Sequence, residues 1–185
     1  MKLERTSTTT FTDVISLATA KAHLRVDHSD EDALITSLIS TAGEIVEEYT
    51  GQYLSSCGFT YYADHFSSVM KIHVGPGIRI LTVKYYDTNN TLQTYSGTHW
   101  NSDVKSHPMR VQFDDLPTEV DDRLNAVQIA GDAGYTTVPE TLKSAMLLII
   151  GHLYEHRKDV LVGVQSAPLV HGAKFLMDKF KPSTF

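Results

Sequence analysis

The chain of 185 residues contains one cysteine, Cys57. A single thiol cannot close an internal disulfide, so a reducing compartment is expected and a zinc site built from cysteines is excluded. There is no run of Lys or Arg, and the formal net charge is -6. Proteins that grip nucleic acid draw most of their affinity from a basic face that neutralises phosphates. Tight DNA binding is therefore not expected, although an acidic surface can stand beside DNA and repel it. No stretch approaches the eighteen or so apolar residues needed to span a membrane. The opening MKLERTSTTTFTD has no apolar segment of the kind a signal peptide carries, which makes the cytosol the default. Also missing are G-x-S-x-G, G-x-x-x-x-G-K-[ST] and a G-x-G-x-x-G after a strand, so neither a nucleophile elbow nor a phosphate cradle is expected. No internal repeat is visible. What remains, at 42% hydrophobic and 21% charged, is an ordinary globular composition. It suits one domain, or a small domain with an insert, that needs no disulfide, metal or cofactor to fold.

Two helical passages bracket the chain, Ile15 to Leu54 and Val138 to Val160. In the first, Ser16 is placed to cap a short helix over Leu17–Arg25, with Leu17, Ala20, Lys21 and Leu24 on one face. Asp30 is expected to cap a longer helix, with Glu31 and Asp32 in its first turn, where negative charge offsets the helix dipole. Leu34, Ile35, Leu38, Ile39, Ala42, Ile45, Val46 and Tyr49 recur at helical spacing. Glu44, Glu47 and Glu48 read as a solvated face, and Gly51 stands where a left-handed terminator belongs. In the second passage Pro139 fits the first helical position. Leu142, Ala145, Met146, Ile149, Ile150 and Leu153 form one broad face, which Leu147, Leu148 and Tyr154 widen. A helix that apolar is central to the core or packed on two sides, and two-sided packing points to a neighbouring subunit. A last amphipathic helix is expected over Pro168–Phe180, with Phe175, Leu176 and Phe180 apolar.

Between the passages the pattern is that of strands. Phe59, Tyr61 and Tyr62 open an aromatic run. Met70, Ile72 and Val74 alternate with Lys71 and His73. Gly75-Pro76-Gly77 is a breaker, and alternation resumes through Tyr85. Asp87 to Asn90 reads as a hairpin turn, with Thr91–Tyr95 returning. Val111–Phe113 and Leu124–Ala130 are further strands, separated by an acidic connection, and Gly131 and Gly134 close the region. The expected fold class is α+β: a helical frame, made of an N-terminal helix pair and C-terminal helices, interrupted by an antiparallel β-rich insert. The expected boundaries are a flexible arm over 1–14, the helical core over 15–54 and 137–181, the insert over 55–136, and a tail over 182–185.

The one enzyme-like string is His152-Leu153-Tyr154-Glu155-His156, which matches the inverted zinc-protease pattern H-x-x-E-H. A zinc hydrolase also needs a third protein ligand, and none of the 29 residues after His156 is the glutamate that this pattern places downstream. Both imidazoles border the apolar stripe, so two histidines at a packing or subunit boundary are the better reading. Trp100 with Tyr85, Tyr86 and Tyr95 lacks the interleaved Lys/Arg of a single-strand stacking platform and reads as packing within the β region. No catalytic, metal or cofactor-binding residue is assigned.

The wording of the two passages resembles the head–tail connector proteins of tailed bacteriophages. Ser16–Asp27 reads S-L-x-x-A-K-x-H-L-R-V-D, Asp30–Ile39 reads D-E-D-A-L-I-x-x-L-I, and Glu44–Gly51 reads E-x-x-E-E-Y-T-G. Val138–Arg157 reads V-P-x-x-L-K-x-A-M-L-L-x-I-x-H-L-Y-E-H-R. The middle is similar to the family's branch with a longer insert, in I-x-x-V-K-Y-Y-D over Ile80–Asp87 and A-G-Y over Ala133–Tyr135. A glycine often follows Y-Y-D there, whereas this chain has Asn89-Asn90. The resemblance implies a structural protein, not an enzyme, found at the virion neck after assembly in the host cytoplasm. It implies a ring, commonly of twelve copies, beneath the portal protein. That ring extends the DNA channel, lets packaged DNA pass without specific binding, and docks tail, stopper or tail-terminator proteins. No cofactor or membrane is implied. On this reading Leu147, Leu148, His152, Tyr154, His156 and Arg157 are candidates for the subunit interface. Lys174, Phe175, Lys179, Phe180, Lys181 and Phe185 are candidates for docking the portal or another partner. The alternatives are another morphogenesis factor, either a tail terminator or an assembly chaperone, and the zinc hydrolase.

Overall fold

The computed structural model describes residues 2–7, 10–156 and 171–181. They fall into two compact units, one built on residues 10–55 with the chain from 136 onward, the other on residues 56–135 with the N-terminal strand. The architecture is mixed α+β, with helices and antiparallel sheets.

The helical unit begins with a 3-10 turn over Phe11–Asp13, followed by α1 (Leu17–Leu24) and α2 (Asp32–Thr50). Ser16 caps α1 as expected, its hydroxyl accepting from the Thr19 amide at 3.1 Å. Arg25 ends the helix in left-handed conformation, with φ 59°. Asp30 does not cap α2. The Asp32 N–H closes a turn onto the Ser29 carbonyl, which leaves the Asp30 side chain outside and puts Glu31 in the cap position without a capping bond. Gly51 terminates α2 with φ +65°, a conformation that costs a side-chain-bearing residue energy. Leu54 is then tied back, its amide donating to the Glu47 carboxylate at 2.7 Å.

After Val138 comes α3 (Glu140–Glu155), and α4 (His171–Asp178) follows later in the chain. Pro139 stands one position earlier than expected, outside the first turn with extended backbone, and its carbonyl accepts from Leu142 and Lys143. The predicted face of α3 is the buried one: Leu142, Ala145, Met146, Ile149 and Ile150 are all inaccessible to solvent. They meet Ile35, Ile39, Ala42 and Val46 from α2, and Ala173 and Met177 from α4, in one core. Tyr154 near the end of α3 bonds Glu31 at the start of α2, so the two helices run antiparallel. Leu34, expected in this core, is 36% exposed, because Ile35 and Ile39 take the inward positions.

The β unit holds eight strands: β1 (Lys2–Arg5), β2 (Cys57–Ala63), β3 (Val69–Ile72), β4 (Gly77–Tyr86), β5 (Leu92–Tyr95), β6 (Trp100–Asp103), β7 (Met109–Phe113) and β8 (Val127–Ala133). They form a five-stranded antiparallel sheet in the order β1-β2-β8-β4-β5 and a three-stranded one in the order β3-β7-β6. On the inner face Phe59, Tyr61 and Ala63 of β2 oppose Gly131, Ile129 and Val127 of β8. Gly131 lies inside β8 and does not end the β region. A Cβ there would meet the Arg79 carbonyl at 2.5 Å and the Phe59 ring at 2.9 Å, beside a break in the β4–β8 register. The last strand starts three residues later than expected, leaving Leu124 76% exposed. The hairpin at Asp87 is as anticipated. The Asp87 carboxylate accepts from the Gln93 side chain and the Thr91 and Asn89 amides, and these bonds hold its pKa below the ordinary carboxylate value. Phe66 packs edge-on to Phe113 and Tyr85 at 5.0 and 5.9 Å, and Tyr95 joins them. Tyr85 and Tyr95, two of the tyrosines considered for stacking, thus lie in a cluster joining the two sheets, while the Tyr86 ring lies under the Arg123 guanidinium at 4.2 Å. Trp100 is in β6, which the sequence reading missed.

The flexible arm expected over 1–14 is corrected where it is described. Lys2–Arg5 pair with Phe59–Tyr62 as an edge strand, and Phe11 is buried in the helical unit. Alternation of a few polar residues carries little signal until backbone bonding to β2 supplies the stabilisation.

The Phe11 ring lies against Gly43 of α2, so that a Cβ at 43 would overlap ring carbons, including Cγ. Replacing a helical glycine by alanine ordinarily stabilises by about 0.5–1 kcal/mol. Overpacking costs about 1–3 kcal/mol and wins here, because the ring root cannot swing away as a side-chain tip would. Gly43→Ala is expected to destabilise the helical unit by about 1–2 kcal/mol in urea unfolding followed by helical circular dichroism. A stabilised variant would show that the ring relocates freely.

Candidate assembly surface

The sequence assigns no residue to chemistry, and its one enzyme-like string is His152 to His156. His152 in the last turn of α3 and His156 at its C-terminal cap are neighbours, ring centroids 4.7 Å apart. Among the described residues no group of three or more His, Cys, Asp or Glu side chains is placed to hold a metal ion. A cleft of about 510 Å³ in the β unit is lined by Tyr61, Asp64, His65, Ser67, Lys71 and His73, among others. Two of its polar groups already serve the fold: the Ser67 hydroxyl donates to the Val69 carbonyl and the Asp64 carboxylate accepts from the Asn125 amide. No nucleophile stands activated beside a base there. Burial raises the Tyr61 and Tyr135 pKa values, so neither phenol is primed to ionise. Asp103 is held far below the usual carboxylate range by the Ser106 hydroxyl and the Arg110 guanidinium, a clamp between β6 and β7.

The interface candidates sort differently. On α3, Leu147, Leu148, His152 and Tyr154 are half-buried, and His156, which caps the helix, is exposed. Tyr154 is engaged within the unit through Glu31. Arg157 and Phe185 lie outside the described residues. On α4, Ala173 and Met177 face inward, and the outward side carries Lys174 and Phe175, the latter 79% exposed. The helix enters the core on its small residue and its methionine, so Phe175 falls outside the buried arc. Several contacts fix α4 in place. Tyr49 donates to Asp178 at 2.6 Å, the Gln52 amide to the Phe180 carbonyl at 2.6 Å, and Lys179 to the Thr141 hydroxyl at 3.2 Å. The Lys181 ammonium sits 3.8 Å from the centre of the Tyr49 ring.

A second surface was not anticipated. Leu34, Ser37, Thr41, Glu44 and Glu48 follow one another at three- and four-residue steps along α2, and all are exposed. The periodicity of small and polar residues was the available signal. It was masked by assigning Leu34 to the core and the glutamates to solvent.

These surfaces, rather than a reaction centre, accord with what the chain resembles. Residues 14–108 match the model of the phage gp6-like head-tail connector proteins. The chain belongs to that family. Its role is that of a structural connector. No curated protein matches the sequence. Among solved structures, a chain in the virion of a native gene transfer agent particle superposes with a TM-score of 0.81 at 20% identity, covering 100% of this chain and 97% of that one. A chain from the neck of an empty gene transfer agent particle, computed with C6 symmetry, gives 0.78 at 21% identity over the same shares. One from the neck of the native particle, computed with C12 symmetry, gives 0.74 at 19%, again over 100% and 97%. The connector fold thus extends past the matched segment through β8, α3 and α4.

The histidines supply a pH effect independent of assembly. Both ring nitrogens of His107 are buried without a hydrogen-bond partner, and burial, then the nearby His73, lowers its pKa. The unfolded chain takes up a proton near the ordinary value of about 6.5, whereas the folded chain resists it. Stability therefore falls as pH drops through that value and stops falling once the folded pKa is passed. Thermal unfolding followed by the fluorescence of Trp100, the sole tryptophan, is expected to show a larger loss of midpoint between pH 7.5 and 5.5 in the natural chain than in His107→Leu. Equal losses would clear His107 of the effect.

Proposed function

We propose that this connector forms a ring, of twelve copies, beneath the portal protein at the capsid vertex. There it extends the DNA channel and presents a surface to tail, stopper or tail-terminator proteins, with no catalytic role. The observation that carries the reading is the family match over residues 14–108. Likeness in fold to neck chains of particles computed with C6 and C12 symmetry supports the ring and its place in the virion neck. The chemistry of the chain is compatible with this. A net charge of -6 disfavours adhesion of DNA to a wall past which it must slide. The outer side of α3, with Leu147, Leu148, His152 and His156, and the outward side of α4 are the faces offered for contact with other subunits or partners.

Electron microscopy of particle necks, and of the purified chain mixed with portal, tests this. The expected image is a ring stacked coaxially on the portal, with the chain present in mature particles at the copy number of that ring. A chain that leaves the finished particle would instead be an assembly factor. Necks lacking it would overturn the proposal.

A further inference from the structure

We infer that the basic, Phe-bearing face of α4 docks onto the exposed acidic stripe of α2 on a second copy of this chain, making the head-to-tail contact of the ring. The inference rests on the ring reading above and names the surfaces that would build it. A ring closed by rotation requires two different, complementary patches on every subunit, and the helical unit carries such a pair.

The first patch is the outer side of α4. Phe175, 79% exposed, is a rigid aromatic of the type that anchors interfaces, and Lys174 is exposed beside it. Lys179 stands on the flank, donating to Thr141. The second patch is the stripe on α2. Leu34, Ser37 and Thr41 give an apolar and small-residue stretch that a ring can lie against, and Glu44 and Glu48 continue it. The stripe runs about 21 Å along the helix axis at ~1.5 Å per residue, and Lys174–Phe175 sit well within that length.

A separate observation calls for cations on the acidic end. Glu44 and Glu48 are four residues apart, where like charges repel. Both lie in the later turns of α2, whose dipole presents negative charge at that end, and the last turn of α2 contains no basic residue. Among the described residues neither Glu44 nor Glu48 has a hydrogen-bond or ion-pair partner. Lys174 is likewise without one. Seating Phe175 on Ser37 and Thr41 brings Lys174 and Lys179 toward Glu44 and Glu48. The charges then set the register, and the aromatic ring supplies the buried area.

The test uses the full chain assembled into particles. Thr41→Cys/Phe175→Cys, purified in particles and then oxidised, should give a ladder of covalent oligomers on non-reducing gels that collapses with reductant. Either single substitution should give none, Cys57 being buried. Rings visible in the necks with only monomer on the gel would overturn this interface and leave the ring standing. Necks without rings would overturn the ring reading instead. Should the double variant fail to enter particles, a charge exchange decides. Glu44→Lys/Glu48→Lys and Lys174→Glu/Lys179→Glu, each folded by circular dichroism, should separately lower incorporation by roughly tenfold or more, and together in one chain restore it. Loss without restoration would overturn the pairing.

Discussion

The helical unit depends on the burial of α3. Five of its side chains, Leu142, Ala145, Met146, Ile149 and Ile150, are withdrawn from water completely, at about 1.5–3 kcal/mol for each large one. No single neighbour can cover so broad a face. α2 lies along one side, antiparallel, with Ile35, Ile39, Ala42 and Val46, and α4 closes another with Ala173 and Met177. Once these contacts are made, the rotation of α2 and α4 about their own axes is determined. That rotation decides which residues remain outside. Leu34, Glu44 and Glu48 on one helix and Lys174 and Phe175 on the other are therefore exposed as a consequence of how α3 is buried.

The polar contacts refine that arrangement rather than create it. Lys21 reaches Asp32 at 2.6 Å between α1 and α2, Tyr154 ties the end of α3 to Glu31, and Tyr49 ties α2 to Asp178. Surface ion pairs contribute little individually, but these sit where helices meet and select one alignment among several that would bury similar area. The β unit follows the same division of labour. The Phe66, Tyr85, Tyr95 and Phe113 cluster joins its two sheets, and hydrogen bonds at Asp87 and Asp103 hold a hairpin and a strand pair in register.

Much of this was legible in the sequence because helices announce themselves by period. The inward face of α3, the Ser16 cap, the Gly51 terminator and the Asp87 hairpin all follow from local rules, and the connector resemblance follows from wording spread through both helical passages. What was not legible depended on distant partners. Lys2–Arg5 become a strand only because β2 offers an edge, and Gly131 is admitted within β8 because Phe59 and the Arg79 carbonyl crowd the site. Trp100–Asp103 carry no alternation and are recruited by β7. Which face of α4 is buried was open for a related reason. Apolar residues on a short helix mark two faces when a partner exists, and a single sequence does not say which of them is internal.

The scatter of titratable groups among the described residues and the presence of two unlike exposed faces have one physical origin. A catalytic site needs titratable groups gathered and shielded from water so that their pKa values separate. Among the described residues the perturbed groups are spread through the β unit, Asp87 and Asp103 held by hydrogen bonds of the local fold and Tyr61, Tyr135 and His107 shifted by burial, and the helical unit spends its polarity on its outer surfaces. Glu44 and Glu48 stand four residues apart in the later turns of α2, and the subunit's own Lys181 is seated over Tyr49, so like-charge repulsion and the helix dipole make the acidic stripe unfavourable in the isolated subunit. On the proposed docking of α4 against α2, the same charges become favourable as a second copy brings lysines to them, and self-repulsion in the free chain and attraction between copies act together, while the net negative charge disfavours contact with DNA.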